Sequence, residues 1–547
     1  MVISPGSRSA PLTLAFARHP EINTRTISDE RSAAFIALGI AQQTKQTSAL
    51  VCTSGSAAYN YAPAVAEAYY QQIPLLILTA DRPPEWIDQL DGQTIRQEGI
   101  FGKHVKRSFV LPVDDGYEDT AWFIERTISE AINLTQEKPC GPVHINVPLR
   151  EPLYPEAEIV YDKNVKTIQR FDKYYALPLS IWDGLFDEFH AYTNVLIVAG
   201  QGDYDAEFIG ILNQLIERYS VVVISDVIGN LHEVKGIIHF HDSILNLKDE
   251  YIKGQLQPDL LITFGKSVVS KNLKMFLRKA KPAMQWHIQE AGQVADTYQS
   301  LNRIVPVEPK YFFEQLKNDK LPNPVKNHDY FQLWQDLENH YKEKINDFFE
   351  SEHPFNEFLV CHKILNALPS DCVLHLSNSM PVRYANLLSL QSDKSIEVNS
   401  NRGTSGIDGV MSTAFGAAIS TDKLVFVVIG DMAFFYDRNA FWNNYMPTNL
   451  RIVVLNNHGG GIFRMLEGPS KQAELEEYFE TKQPLKAASL AHEFDLEYFF
   501  ADNNEYFSSF LSRFVSKSGG SKVLEIETNT RTNRDVFYQF KNYTSQK

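Results

Sequence analysis

Val427-Val428-Ile429-Gly430-Asp431 and, further on, Val453-Val454-Leu455-Asn456-Asn457-His458-Gly459-Gly460-Gly461 are the segments whose reading decides the fold. Each reads as a buried β-strand ending in an oxygen-bearing side chain. Asp431 and Asn457 stand 26 positions apart (457 − 431), room for one crossover helix between neighbouring parallel strands. That spacing predicts a carboxylate and an amide side by side at the carboxyl ends of two strands, where α/β sheets bind ligands. Hard oxygen donors beside glycine-flanked backbone suit a Mg2+ ion holding a diphosphate.

Taken alone, the pair also reads as ordinary caps of the following helices. Three neighbours favour the ligand site. The Gly459-Gly460-Gly461 run lets backbone approach a ligand closely. A second glycine-rich polar loop, Asn399-Ser400-Asn401-Arg402-Gly403-Thr404-Ser405-Gly406-Ile407-Asp408-Gly409, precedes a helix. Ser379 and Arg383 follow a further strand, Val373-Leu374-His375-Leu376. All of these belong on the carboxyl edge of one sheet.

Outward from this block, the chain repeats the same rhythm. Ala49–Thr53, Pro74–Thr79 and His144–Pro148 read as buried strands, with a small-residue helix over Ala57–Tyr70. A second series begins at Asn194–Gly200 and continues through Val221–Asp226 and Asp259–Gly265. The expected architecture is α/β: three α/β domains with central parallel sheets, over residues 1–160, 180–325 and 350–547. Asn318–His328, with Pro322 and Pro324, reads as a linker. The first and third blocks are candidate structural repeats.

The first block offers Ser4-Pro5-Gly6-Ser7-Arg8-Ser9 after a strand and Ser28-Asp29-Glu30-Arg31 before an uncharged helical run, Ser32–Ala41. An Asp-Glu pair at a helix start reads first as dipole compensation. The functional alternative is a carboxyl at an apolar helix start, directed at a ligand nitrogen.

Composition narrows the classes. The 547 residues carry a formal net charge of −15, which argues against nucleic acid or an anionic membrane as partner. An anionic ligand must therefore be met by local basic residues. The four cysteines form no CxxC pair, so structural zinc and a disulfide framework are not expected, and a reducing, cytoplasmic setting fits. No apolar run approaches the ~20 residues that span a bilayer. The apolar stretch Ala10–Ala17 is short and lacks a basic lead, unlike a signal peptide.

The Gly-Asp strand end, the gap and the Asn-Asn pair resemble the signature of thiamine-diphosphate-dependent enzymes. Other strings are similar to one branch of that superfamily, which acts in menaquinone biosynthesis. They are Ser4–Thr13, Asp29-Glu30-Arg31, Thr53–Ala57, Thr79–Pro84, Gln93–Gln97, Ser400–Gly403 and Ser405–Gly409. The resemblance implies decarboxylation of 2-oxoglutarate and addition of the resulting succinyl-semialdehyde carbanion to isochorismate. It implies thiamine diphosphate with Mg2+ or Mn2+ as cofactors. It also implies a homodimer or dimer of dimers, with sites between the first domain of one subunit and the third of another.

Residue by residue, the resemblance makes Glu30 the group that activates the cofactor's aminopyrimidine ring. Ser54, Gly55, Gly406, Ile407, Asp431, Met432, Ala433, Asn457, Gly461 and Ile462 would contact the cofactor, and Asp431, Asn457 and the Gly459 carbonyl would hold the metal. Arg8, Arg82, Gln93, Lys271, Ser379, Arg383 and Arg402 would bind substrate carboxylates, for which planar guanidinium groups are suited. Gln93, Arg383 and Arg402 would join Glu30 in catalysis. Two departures stand out. Asn272 follows Lys271 where the family has Arg, so Lys274 is a candidate substitute. The chain also begins within the family's first strand, so one helix covering the first sheet is expected to be missing.

Rival readings are a 2-oxoacid decarboxylase or acetolactate synthase, a non-catalytic thiamine-diphosphate binder, and a nicotinamide enzyme. The last rests only on Gly200-Gln201-Gly202, a fragment of a dinucleotide fingerprint.

Overall fold

The computed structural model describes every residue except 156, 157, 172, 174, 320–325, 546 and 547. The linker expected around Pro322 and Pro324 lies mostly outside the described residues. Three parallel sheets organise the chain. The first contains β1 (Val2–Ile3), β2 (Arg25–Thr26), β3 (Ser48–Cys52), β4 (Leu75–Asp81), β5 (Ser108–Val110) and β6 (Val143–Pro148). The second contains β7 (Val195–Ala199), β8 (Val222–Ser225), β9 (Leu260–Phe264), β10 (Met284–Ile288) and β11 (Arg303–Val305). The third contains β12 (Cys372–Leu376), β13 (Ile396–Asn399), β14 (Val425–Gly430), β15 (Leu450–Asn456), β16 (Glu497–Ala501) and β17 (Lys522–Glu527).

Strand order in the first sheet is β2-β1-β3-β4-β6-β5, and in the third β13-β12-β14-β15-β17-β16. The third sheet thus repeats the first, strand for strand. The central strands are buried along their length because helices cover both faces. Each fully buried Val, Ile or Leu there contributes about 1.5–3 kcal/mol.

Some local expectations change. The helix expected over Ala57–Tyr70 is two helices, Ser56–Asn60 and Ala62–Gln71, with Pro63 near the start of the second. Proline has no N–H to continue the first helix's ladder, and it is tolerated in a first turn. Between β14 and β15 lies a short helix, Asp431–Tyr436, and a single 3-10 turn, Arg438–Phe441, instead of one long crossover helix. Strands β2 and β5 are short, with 2 and 3 residues, and gave no hydrophobic run to read.

The first and third units meet where the helix Glu30–Thr44 crosses the helix Val410–Ala418. These are the helices after β2 and after β13, equivalent positions in the two sheets. A Cβ on Gly39 would stand 2.0 Å from the Thr413 carbonyl oxygen, and one on Gly416 would stand 2.1 Å from that of Ile36. Each glycine therefore packs on the carbonyl three residues before the other, a reciprocal backbone contact that any side chain would break.

Gly416→Ala should lower the calorimetric melting temperature, with an overpacking cost of about 1–3 kcal/mol. Gly210→Ala, in a helix where a Cβ meets nothing within 4 Å, should be neutral or stabilising. Equal melting temperatures for the two variants would contradict the close crossing.

Candidate active site

The site residues leave the two repeated sheets after equivalent strands. In the first sheet, Arg8 follows β1, Glu30 follows β2, Ser54 and Gly55 follow β3, and Arg82 follows β4. In the third, Ser379 and Arg383 follow β12, Arg402 and Ile407 follow β13, Asp431 follows β14, and Asn457 follows β15. All the strands are parallel, so each set sits on a carboxyl edge.

Register pairs Gly430 with Leu455, so the chain leaves β14 and β15 at nearly the same level. Asp431 is buried. Its carboxylate accepts from Gln483 Nε2 at 2.7 Å and from the N–H groups of Met432 and Gly459. Burial pushes its pKa up to about 6 despite those donors. Asn457 gives its Nδ2 to Glu357 Oε1 at 2.5 Å. Its Oδ1 is buried and has no hydrogen-bond partner. Glu357 is itself buried, and its pKa rises to about 7, first through burial, with Asp431 adding repulsion. Neither residue caps a helix: the helix after Asn457 starts at Ile462 with Gly461 at its cap.

A cavity of about 570 Å³ opens here, lined by Asn457, Gly459, Arg464, Lys482, Gln483 and Arg531 among others. Among the described residues no cluster of three His, Cys, Asp or Glu side chains could hold a metal. A cation at this edge would instead use one carboxylate, the orphaned Asn457 Oδ1 and backbone oxygen, a hard donor set suited to Mg2+ or Mn2+. Gly460 N–H meets the Glu480 carbonyl at 2.7 Å. Gly461 and Ile462 then begin a short helix, while Met432 and Ala433 lie in the one that Asp431 opens.

The loop after β13 is shaped by a residue that sequence reading missed. Asn378 donates to the carbonyls of Asn401 and Gly406, each at 2.6 Å, and accepts from Arg402 at 2.9 Å. Ile407, next after the Gly406 anchor, is 40% exposed. Arg383 donates to the Ser379 carbonyl at 2.5 Å. Burial, then the nearby Arg402 charge, lowers the pKa of Arg383, with Asp242 acting the other way. Lys274 is lowered too, by burial first, with Arg402 and Arg383 among the charges acting on it. Lys274, Arg383 and Arg402 are thus half-buried cations close enough to feel one another's charge, with Asp226, Asp242 and Glu67 acting against that repulsion. Lys271 is exposed at the start of the same helix as Lys274.

In the first unit, Asp29 caps its helix by accepting from Ser32 N–H at 3.0 Å. The cap is therefore filled without Glu30, which is half-buried and accepts from Asn60 Nδ2 at 3.3 Å. Ser54 is buried with its hydroxyl unpartnered. Gly55, at φ +91°, donates its N–H to Gln97 at 2.8 Å and packs against the exposed Gln93. Arg8 bonds the Leu149 carbonyl at 3.0 Å and Glu151 at 3.4 Å. Arg82 holds the loop beyond it through the Gly92 carbonyl and Asp91 at 2.9 Å. Among the described residues, no hydrogen bond or ion pair joins this set to the third-sheet set.

Further residues escaped the sequence reading. Glu67, buried, accepts from Gly403 N, Thr404 N and Thr404 Oγ1 at 2.6–2.8 Å and so ties the third-sheet loop to the first unit. It is the one charged residue in Ala57–Tyr70, a signal that was available. Gln201 donates to Gln71 and to the Ser400 carbonyl, and a Cβ on Gly200 would strike the Lys266 carbonyl at 2.1 Å. The Gly200-Gln201-Gly202 string is therefore a joint between units, not a dinucleotide loop.

The fold and this pair of carboxyl edges define a thiamine pyrophosphate enzyme. Residues 1–100 match the thiamine pyrophosphate enzyme N-terminal TPP binding domain, and residues 187–376 match the middle domain of thiamine pyrophosphate enzymes. The chain is 46% identical, over 100% of its length and 96% of the relative's, to the 2-succinyl-5-enolpyruvyl-6-hydroxy-3-cyclohexene-1-carboxylate synthase of Cytophaga hutchinsonii. It is 42% identical to the synthase of the same name from Flavobacterium psychrophilum (100% and 96% covered) and 39% to that of Flavobacterium johnsoniae (99% and 95%). The chain belongs to this synthase family.

Arg383→Ala and Arg402→Ala should each lower kcat/KM about 10- to 100-fold, the size of a lost charge-assisted contact. Lys274→Met should raise KM more than Lys271→Met does. Steady-state kinetics with unchanged kcat/KM in both arginine variants would remove the carboxylate-clamp role.

Proposed function

We propose that the protein joins 2-oxoglutarate to isochorismate with loss of CO2. The product is 2-succinyl-5-enolpyruvyl-6-hydroxy-3-cyclohexene-1-carboxylate, made for menaquinone biosynthesis. Full-length membership of the synthase family supports the reaction. The observation that carries the substrate reading is the half-buried cluster of Arg383, Arg402 and Lys274 beside the third-sheet edge. Their positive charge, only partly answered by Asp226, Asp242 and Glu67, suits a carboxylate, and both substrates are carboxylates.

Thiamine diphosphate would supply the carbanion chemistry. The chain's residues bind, orient and manage protons. Glu30 would share a proton with the aminopyrimidine ring nitrogen of the cofactor. Asp431, Asn457 Oδ1 and the Gly459 carbonyl would hold Mg2+ or Mn2+ on the diphosphate, and the backbone at Met432, Ala433, Gly461 and Ile462 would line it. Ile407 would give apolar support, with Gly406 beside it, while Ser54 and Gly55 would meet the cofactor from the first sheet. Arg8, Arg82, Gln93, Lys271 and Ser379 would complete carboxylate recognition around Arg383 and Arg402.

Among the described residues, the first-sheet and third-sheet sets share no hydrogen bond or ion pair within one chain. We therefore propose a homodimer or dimer of dimers in which one subunit's Glu30 edge meets its partner's Asp431 edge. Exposed Tyr59, Leu90, Tyr436 and Trp442 would be covered in such an assembly. The free cysteines and the lack of a long apolar helix among the described residues fit a cytoplasmic enzyme.

Isochorismate should disappear only with 2-oxoglutarate, a divalent cation and thiamine diphosphate all present, and Glu30→Gln should slow this about 10²- to 10⁴-fold. Loss without thiamine diphosphate, or equal loss with pyruvate as donor, would overturn the reaction assigned here. Sedimentation should give a dimer or larger species, and a fully active monomer would sink the shared site.

A further inference from the structure

The Asn457 amide has two faces, and only the oxygen can bind a cation. Its orientation is set by one neighbour. Glu357 opens the eleven-residue helix Glu357–Ala367, is 2% exposed, and accepts Asn457 Nδ2 at 2.5 Å. The other Glu357 oxygen accepts from Tyr384 OH at 3.4 Å, and the Thr528 hydroxyl also bonds the carboxyl. Asn533 Oδ1 accepts the Glu357 N–H at 3.0 Å, which fixes the start of the helix. Among the described residues no cation pairs with Glu357.

A buried carboxylate without a cationic partner is costly. Both Glu357 oxygens are committed as acceptors, one to Asn457 Nδ2 and the other to Tyr384 OH. An ionised carboxylate only accepts, whereas a glutamine amide can donate or accept. Facing Glu357, Asn457 must present its NH2 group and turn Oδ1 away, and that oxygen is left buried and unpartnered.

We propose that Glu357 is a positioning residue for the divalent cation, holding Asn457 so that its Oδ1 stays available as a metal ligand. This inference rests on the reading of Asp431 and Asn457 as metal ligands. Partners behind a metal ligand typically change metal affinity 10- to 100-fold when removed.

The test is Mn2+ titration of the full-length protein saturated with thiamine diphosphate, reading free Mn2+ by electron paramagnetic resonance. Asp431→Asn should weaken Mn2+ binding strongly, and if it leaves binding unchanged the metal reading itself fails. With that control in place, Glu357→Gln should weaken Mn2+ binding about 10- to 100-fold, without lowering the melting temperature of the metal-free protein. Affinity within twofold of the unsubstituted protein would overturn the positioning role alone. A second pair guards against a folding defect. Asn457→Asp alone sets two carboxylates against each other and should bind Mn2+ poorly. The Glu357→Gln/Asn457→Asp double variant lets the new amide donate to the new carboxylate and should recover most of the affinity. Equal affinity of the single and double variants would also overturn the proposal.

Discussion

The reciprocal crossing of Gly39 and Gly416 is the contact on which the rest of the molecule depends. Two helices from equivalent places in two repeated sheets approach until each glycine rests on the other's backbone carbonyl. No side chain fits between them, so the angle and register of the crossing are fixed by backbone alone. Glu30 stands at the start of one helix, and the Ser400–Gly409 loop runs into the start of the other. The crossing thereby sets where both carboxyl edges lie. Glu67 adds a second tie, gripping Gly403 and Thr404 from the first unit.

The two edges divide the chemistry. The first offers a half-buried carboxyl freed from capping duty by Asp29, with Arg8 and Arg82 held by backbone carbonyls and acidic neighbours. The third offers oxygen donors at Asp431 and Asn457 and a half-buried cationic cluster close by. A protein with net charge −15 repels anions at long range, so its carboxylate recognition must be local. Burial makes this possible, because charges kept from water attract an anion more strongly than solvated ones do. The same burial raises Asp431 and Glu357 together, a pairing that a divalent cation would relieve.

The second sheet carries none of the strings on which the family resemblance rests, and its main visible contribution is architectural. Gln201 reaches Gln71 in the first unit and Ser400 in the third, while Lys274 brings a charge toward Arg383 and Arg402. Asn272, at the position of a missing guanidinium, is used to bond the Asp242 carbonyl at 3.1 Å. The middle unit thus braces the third-sheet loop and lends it one cation.

The sequence by itself determined the three α/β blocks, their longest buried strands and the strand-end positions of Ser54, Arg383, Asp431 and Asn457, and it placed Glu30 at a helix start and Arg402 in a glycine-rich loop. These were legible because buried parallel strands are continuous apolar runs, and the polar residue that ends each run marks an edge. The tertiary structure decided what one-dimensional reading could not hold. Asn457 meets Glu357 across 100 positions and Asp431 meets Gln483 across 52, contacts with no local periodicity. It decided that Gly200-Gln201-Gly202 joins units, that Lys274 and not Lys271 is drawn into the arginine cluster, and that the two sheets share one strand order. Such outcomes depend on which surfaces meet after the strands have formed, and that is settled by packing, not by the pattern along the chain.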